Sequence, residues 1–311
     1  MKVVLHIGAH RTGTTSFQAY LRQNNPYLEA ERVGFWGPLR TRKGLFAGIQ
    51  PVPGLGQHAA KRARGRIALQ LDRAETRGIK TLIVSDENML GTMRRNTRSH
   101  SLYQDVGERM ARYAAAFDGR IDTVLLTVRA LDHYWSSLCA YSVARGYAVP
   151  SCNKLSRIAT SWRSWRDVVA DLACAVPEAR VVVVPFERTA GRPDVLFEQA
   201  TGLAAPETAS EIWLNRSPTA RTLRNLLAER GEDPALLPDH DGRWTPFDTK
   251  QRAALRETYL DDIHWLTAGA DGLATLIEDT DHARVGQTLP RGSRTRGQAH
   301  DIEERRLAGP G

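Results

Sequence analysis

The chain has few of the residues on which crosslinked and membrane-spanning proteins depend. Its 311 residues include three cysteines, Cys139, Cys152 and Cys174, an odd number whose spacing fits no metal-binding motif. No apolar run approaches the roughly 18 residues of a membrane span, and the apolar run at the start is too short for a signal peptide. These absences argue against a disulfide framework and predict a cytoplasmic protein without a transmembrane segment.

The chain also lacks the arrangement of basic residues that is typical of nucleic-acid-binding proteins. Its net charge is +8, but its arginines are scattered, with local clusters at 61–66 and 291–296. No zinc-finger spacing, RNA-binding motif or alternation of aromatic and basic residues accompanies them. An anionic small ligand or an acidic substrate explains the charge equally well. We therefore expect a small-molecule, glycan or glycolipid partner rather than nucleic acid, while the oligomeric state stays open.

Four short apolar runs, at 3–7, 81–85, 123–128 and 180–185, have the composition of buried parallel strands. Helical periodicity predicts helices over 14–24, 132–144, 165–175, 194–201, 219–230 and 248–268, with Asp132 as the cap of the second. Strands that alternate with helices form βαβ units. The sequence thus predicts an α/β fold, a P-loop-like doubly wound parallel sheet flanked by helices, with a helical C-terminal extension.

The domain organisation follows from composition. Residues 1–285 are predicted to form a single domain, of which about 216–285 is mostly helical. Residues 34–65 are rich in glycine, proline and basic side chains and are too long for an ordinary connection, which predicts a functional loop. Such a loop is suited to cover the acceptor substrate. The alternative is an ordinary solvated surface loop. Residues 286–311 are polar and arginine-rich, and a flexible tail is expected there.

The stretch GAHRTGTT at 8–15 follows the first predicted strand and has the chemistry of an anion site. Gly8 and Gly13 permit backbone geometry in which successive N–H groups point at one anion, and the helix that begins near Thr14 adds its positive end. Further donors are the Arg11 guanidinium and the hydroxyls of Thr12, Thr14, Thr15 and Ser16. The alternative is a strand-to-helix turn with capping threonines.

The glycine spacing of this stretch is that of a triphosphate-binding loop, but Thr14 stands where that loop has its lysine. A P-loop kinase or NTPase that uses ATP and magnesium, with Asp86 as the metal ligand, is therefore the second interpretation. A non-enzymatic basic module that binds anionic glycan or nucleic acid is the third.

The same stretch closely resembles the 5′-phosphosulfate loop of sulfotransferases that use 3′-phosphoadenosine 5′-phosphosulfate (PAPS), in particular bacterial, carbohydrate-type members. That loop reads [KR]-x-G-T-[ST], and Arg11 occupies its basic position. The run 124–129 with 132–137 resembles the family's 3′-phosphate motif, a strand-terminal arginine and a serine eight residues later, here Arg129 and Ser137. The resemblance covers about residues 1–215. It implies PAPS as co-substrate, no metal, and a cofactor site made of Arg11, Thr12, Gly13, Thr14, Thr15, Ser16, Arg129 and Ser137.

Sulfuryl transfer also needs a general base, and Glu87 is the prediction. It lies just past the strand at 81–85, and carbohydrate sulfotransferases commonly use a glutamate. Asp86 and His10 are its competitors, and Arg11 is expected to assist catalysis at the leaving phosphate. As an alternative, Glu87 is a solvated carboxylate or the partner of Arg11 or Arg129. The acceptor, and the choice between O- and N-sulfation, stay open.

Overall fold

The computed structural model describes residues 1–51, 58–206 and 214–277. Within these ranges one sheet contains six strands, all parallel, in the order β2-β3-β1-β4-β5-β6. The strands are β1 (Lys2–His6), β2 (Val33–Trp36), β3 (Thr81–Ser85), β4 (Thr123–Val128), β5 (Arg180–Pro185) and β6 (Thr275–Leu276). The parallel sheet predicted from the apolar runs is thus confirmed.

Helices connect the strands and cover both faces of the sheet. In chain order they are α1 (Thr14–Gln23), α2 (Asn25–Ala30), α3 (Pro38–Arg40), α4 (His58–Thr76), α5 (Met93–Ser99), α6 (Val106–Ala116), α7 (Leu131–Ala144), α8 (Cys152–Ala159), α9 (Trp165–Ala175), α10 (Phe186–Thr189), α11 (Pro193–Thr201), α12 (Ala220–Glu229) and α13 (Thr249–Thr267). A π-helical turn spans Thr41–Leu45, and 3₁₀ turns span Glu87–Met89, Pro234–Leu236 and Ala270–Gly272.

The two faces of the sheet carry separate cores because successive strand residues point to opposite sides. On one face Val4 of β1 packs with Phe17 of α1 and Phe197 of α11. On the other face Val3 and Leu5 belong to the larger cluster, to which α4, α6, α7, α9, α12 and α13 contribute. This arrangement is the doubly wound α/β architecture that the alternation of strands and helices predicts.

The six predicted helices correspond to α1, α7, α9, α11, α12 and α13, but the loop predicted at 34–65 is wrong. The described part of that stretch contains most of β2, α3, the Thr41–Leu45 turn and the first turns of α4. Ala59, Ala63, Ile67 and Leu71 recur every fourth residue and are buried. Of the arginines in this stretch, Arg62 and Arg64 lie between these positions on α4 and are exposed, whereas Arg40 lies in α3 and Arg42 in the Thr41–Leu45 turn.

The capping role predicted for Asp132 is also wrong. Ala130 is the residue that precedes α7, and its N–H donates to Glu187 Oε1 (2.9 Å). Asp132 lies in the first turn of α7, where its carboxylate accepts from Arg256 Nη2 (2.7 Å). The predicted tail, 286–311, lies outside the described residues. Among those residues, no helix has both the length and the apolar composition that a membrane crossing requires.

Candidate functional site

The loop after β1 lies at the centre of the carboxyl edge of the sheet. Because β1 pairs with β3 on one side and β4 on the other, the residues that follow all three strands meet there. The loop is tied to both neighbours, since Ala9 N–H donates to Thr127 O (2.9 Å) and Asp86 N–H donates to His6 O (3.3 Å). Ligands of open α/β sheets bind at this edge, so the predicted site residues are brought to the position where a ligand is expected.

The backbone of the loop directs amide groups toward the start of α1. Arg11 and Gly13 both adopt left-handed conformations, with φ of 68° and 81°. Gly13 immediately precedes α1 and has no side chain to accept from the first-turn amides, which are left available for an anion. Gly8 must be glycine for a different reason, since a Cβ there would lie 2.7 Å from Thr14 Oγ1.

The four predicted hydroxyl donors make contacts that the sequence does not reveal. Thr12 Oγ1 donates to Ala9 O (2.6 Å), and Thr14 Oγ1 donates more weakly to Gly8 O (3.5 Å). Both hydroxyls are buried and use the carbonyls of the loop itself as acceptors. Thr15 and Ser16 instead accept from the segment at 214–215, through Asn215 Nδ2 (3.2 Å) and Leu214 N–H (2.9 Å). Thr12 and Thr14 therefore shape the loop.

Residues predicted from two distant motifs meet at Arg11. Arg129 Nη1 donates to Arg11 O (2.8 Å), and Arg11 Nε donates to Ser137 Oγ (3.0 Å). Ser137, on α7, is only 1% exposed. We call Arg11, Arg129 and Ser137 the cationic flank. The end of β4 and the early turns of α7 thus come into direct contact with the loop after β1.

The two guanidinium groups of the cationic flank have neutral partners in the described part of the chain. Arg11 Nη2 donates to Asn215 O (2.9 Å) and Ser217 Oγ (3.3 Å). Arg129 lies over the Phe186 ring (4.8 Å to its centroid), and its buried Nε has no partner among the described residues. Burial lowers the pKa of each guanidinium to about 10. Buried charge without a counter-ion is unfavourable, so an anion bound there would be stabilised.

Arg243 adds a third cation that sequence reasoning missed. Arg243 is exposed, and its backbone forms an isolated antiparallel β-bridge with Thr219. Its positive charge contributes, after burial, to the lowered pKa values of Arg11, Arg129 and His133. It lies more than 100 positions from either arginine of the cationic flank, and no local pattern distinguishes it from the other scattered arginines.

The opposite side of the loop carries two carboxylates that share one arginine as their partner. Asp86, which is buried, accepts from Thr41 Oγ1 (2.6 Å) and from Arg42 Nη2 (2.7 Å). Glu87 Oε1 accepts from Arg42 Nη2 (2.9 Å), and its Oε2 accepts from Gln18 Nε2 (3.3 Å). We call Asp86, Glu87 and Arg42 the acidic flank. The alternative in which Glu87 pairs with Arg11 or Arg129 is therefore wrong.

Gln18 and Arg42 were also missed by sequence reasoning, although Gln18 carried a signal. It follows Thr14 by one helical turn and is 3% exposed on the side of α1 that packs against the sheet. A polar residue at a core position of a helix needs a buried partner. Arg42 carried no such signal, because its partners lie 44 and 45 residues away.

His10 is held in one orientation by a buried chain of hydrogen bonds. Tyr103 Oη accepts from Tyr134 Oη (3.2 Å) and from the His10 N–H (3.0 Å). Its own proton is therefore directed to His10 Nδ1 (2.8 Å), which leaves Nε2–H to donate to Asn88 Oδ1 (3.3 Å). Burial lowers the pKa of His10, despite the nearby charge of Glu87. Both ring nitrogens are engaged, so His10 is held as a neutral donor.

A cleft opens on the α10–α11 side of the loop. It is lined by Thr12, Gly13, Ser16, Phe17, Phe186, Thr189, Gly191, Arg192, Pro193 and Leu196. Phe186 connects this cleft with the cationic flank because its ring also lies against Arg129. The cleft is shallow, with a cavity volume of about 20 Å³, and its aromatic wall lies beside the start of α1.

Scans against protein-family models, curated proteins and solved structures gave no match for this chain. Within the described ranges, no three His, Cys, Asp or Glu side chains lie close enough together to form a metal-ligand group.

Proposed function

We propose that this protein is a sulfotransferase that moves the sulfuryl group of PAPS onto a hydroxyl or amine of a carbohydrate, glycolipid or small metabolite. The observation that carries the proposal is the contact of Arg11 with both Arg129 and Ser137. The resemblance assigns Arg11 to the 5′-phosphosulfate and the other two residues to the 3′-phosphate. A nucleotide with phosphates on both positions would place anionic groups on either side of Arg11.

The contacts suggest how such a nucleotide is held. The amides at the start of α1 and the Arg11 guanidinium face the 5′-phosphosulfate. Arg129, whose Nε has no partner among the described residues, and Ser137 bind the 3′-phosphate, and Arg243 adds long-range attraction. The Phe186 ring, which lies beside Arg129, offers an apolar surface to the nucleoside part. No step of this arrangement requires a metal ion.

In the reaction, a lone pair of the acceptor oxygen or nitrogen forms a bond to sulfur. The bond between sulfur and the bridging oxygen of the 5′-phosphate breaks, and that oxygen takes the electron pair. Arg11 and the loop amides stabilise the charge that develops there. Glu87 takes the acceptor proton, and Arg42 and Gln18 hold one carboxylate oxygen each. Asp86 is a weaker candidate because Thr41 and Arg42 already engage its carboxylate.

Thermal-shift titration with adenosine 3′,5′-bisphosphate, AMP and ATP–magnesium tests the cofactor assignment. We expect the bisphosphate to stabilise the protein most, by about 2.7 kcal/mol at a concentration of about 100 Kd. Equal stabilisation by AMP would remove the 3′-phosphate role of Arg129 and Ser137. Greater stabilisation by ATP–magnesium would favour the kinase interpretation, in which Asp86 has to exchange its bond to Arg42 for the metal.

A further inference from the structure

A group of four cations, three of them exposed, beside one exposed tryptophan lies outside the site described above. Arg94 and Arg98 are exposed and lie four residues apart on α5, so they share one side of that helix. Lys154 and Arg157 lie on α8, and Trp162 follows α8 with 81% of its surface exposed. We call these five residues the basic face.

Two observations place α8 and Trp162 near the C-terminal end of α5. The Arg163 side chain donates to Leu102 O (2.5 Å) and Tyr103 O (3.1 Å), so Trp162, the residue before Arg163, lies near the segment that follows α5. His100 directly follows α5, and its pKa is lowered by burial and then by the charges of Arg157 and Lys154 on α8.

The cations of the basic face have no carboxylate partner among the described residues. Their neighbour Arg95 shows the contrast, since its Nη2 pairs with Asp105 Oδ2 (2.5 Å). Unpaired arginines and lysine on one surface attract an anionic partner. An exposed indole offers a flat apolar surface on which a sugar ring can pack.

The basic face is connected to the candidate site through α5. On the inner side of this helix, Asn96 is 1% exposed and its Nδ2 donates to Tyr134 Oη (2.8 Å). Tyr134 donates in turn to Tyr103, which contacts His10 in the loop after β1. A polymer on the outer side of α5 would thus lie one helix away from the carboxyl edge of the sheet.

We propose that the basic face binds an acidic polysaccharide, and that this polymer is the class of acceptor for sulfuryl transfer. Uronate carboxylates would pair with the arginines while a neighbouring sugar ring packs on Trp162. Duplex DNA offers no exposed ring face to the indole. The acceptor role rests on the proposed function, whereas the binding does not.

Binding of polygalacturonate to the full chain tests the proposal, with dextran as the neutral probe and oligothymidylate as the nucleic-acid probe. We expect polygalacturonate to bind in a salt-dependent manner and more tightly than either of the other two. The double variant Arg98→Ser/Arg157→Ser should weaken this binding about tenfold. Trp162→Ala should weaken it about fivefold without changing its salt dependence.

The matched control is Lys61→Ser/Arg62→Ser, which removes the same two charges from exposed positions on α4. It should leave polygalacturonate binding unchanged. The proposal is overturned if the wild-type chain does not bind polygalacturonate, if both double variants weaken binding equally, or if oligothymidylate binds more tightly. If the glycan binds but adenosine 3′,5′-bisphosphate gives no thermal shift, the proposed function fails and the glycan surface stands.

Discussion

The charged side chains on the two flanks of the loop after β1 have different kinds of partner. On the acidic flank, both carboxylates, Asp86 and Glu87, pair with a cation of the protein itself, Arg42. On the cationic flank, Arg11 and Arg129 donate to hydroxyl and carbonyl oxygens that carry no formal charge. Among the described residues, the carboxylates of the acidic flank are thus paired with a cation, whereas the guanidinium groups of the cationic flank form no ion pair.

The largest expected effect comes from the one carboxylate of the acidic flank that is partly accessible. Glu87→Gln keeps the shape and removes the base, so sulfuryl transfer from PAPS to a working acceptor should fall about 10²- to 10⁴-fold. Stabilisation by adenosine 3′,5′-bisphosphate should stay at the wild-type value, because the cofactor contacts lie on the other flank. Unchanged turnover would show that Glu87 is not the base and would leave Asp86 as the candidate carboxylate.

Removal of Arg42, the cation that Asp86 and Glu87 share, should destabilise the folded protein. Arg42→Met leaves the buried Asp86 carboxylate without its ion pair, and we expect the free energy of unfolding to fall by about 2–4 kcal/mol. The lower part of this range allows for the partial exposure of Arg42, whose side chain is 39% exposed. Urea unfolding measures the change. A loss below about 0.5 kcal/mol would contradict the idea that the flank depends on this pair.

The matching variant on the cationic flank should have the opposite profile. Arg129→Met removes a buried cation that has no carboxylate partner in the described residues, so the stability of the unliganded protein should change little. The stabilisation by adenosine 3′,5′-bisphosphate should drop by about 1.5–3 kcal/mol, the value of hydrogen bonds to charged groups. AMP, which lacks the 3′-phosphate, serves as the control ligand. A variant that loses AMP and bisphosphate equally would place Arg129 elsewhere on the nucleotide.

The smallest expected effect is on the pH dependence of stability, and it comes from His6 at the end of β1. His6 is fully buried, its Nδ1 contacts Ser85 Oγ (2.8 Å), and burial lowers its pKa to about 3. The folded state therefore disfavours protonation, so the stability from neutral His6 is present above the unfolded pKa near 6.5 and is lost as the pH falls toward 3. We expect a loss of about 2 kcal/mol between about pH 7 and pH 5 from this group.

His6→Asn is the control for that pH dependence. Asparagine keeps a polar atom near Ser85 but does not titrate, so urea unfolding of the variant should show a flatter dependence of stability on pH. Identical slopes for the two proteins would show that His6 does not carry the effect. A flatter slope would show that the buried histidine stays neutral, which leaves the positive charge of the site on its arginines.

The central strands were predictable because each is a continuous apolar run buried on both faces. Strand β2, with the sequence VGFW, contains a glycine and has only four residues, and β6 has two. Neither strand is long enough for its composition to be distinguished from that of a loop. Helix α4 was missed because its arginines dominate its composition, although its alanine, isoleucine and leucine residues repeat every fourth position.

At the site, contacts that follow from position along the sheet edge were predictable and contacts that depend on side-chain reach were not. Arg129 and Ser137 were predicted from the family motif, whose two residues lie at the end of a strand and in the next helix, and the structure brings both into contact with Arg11. The partner of Glu87 could not be found, because Arg42 comes from a turn after β2, two strands away from β1 in the sheet. The tautomer of His10 depends on Tyr103 and Tyr134, whose hydroxyl groups meet only in the folded core.

The left-handed backbone of Arg11 has a consequence for which residues position 11 accepts. A non-glycine residue with φ of 68° is strained by about 1–2 kcal/mol, and glycine would remove that strain. Asparagine would also fit this conformation well, yet neither residue carries a guanidinium group. Exchange of Arg11 for glycine should thus relieve the backbone strain but remove the side-chain bonds to Ser137, Asn215 and Ser217. At position 11 a strained backbone is kept together with a side chain that joins three distant parts of the chain.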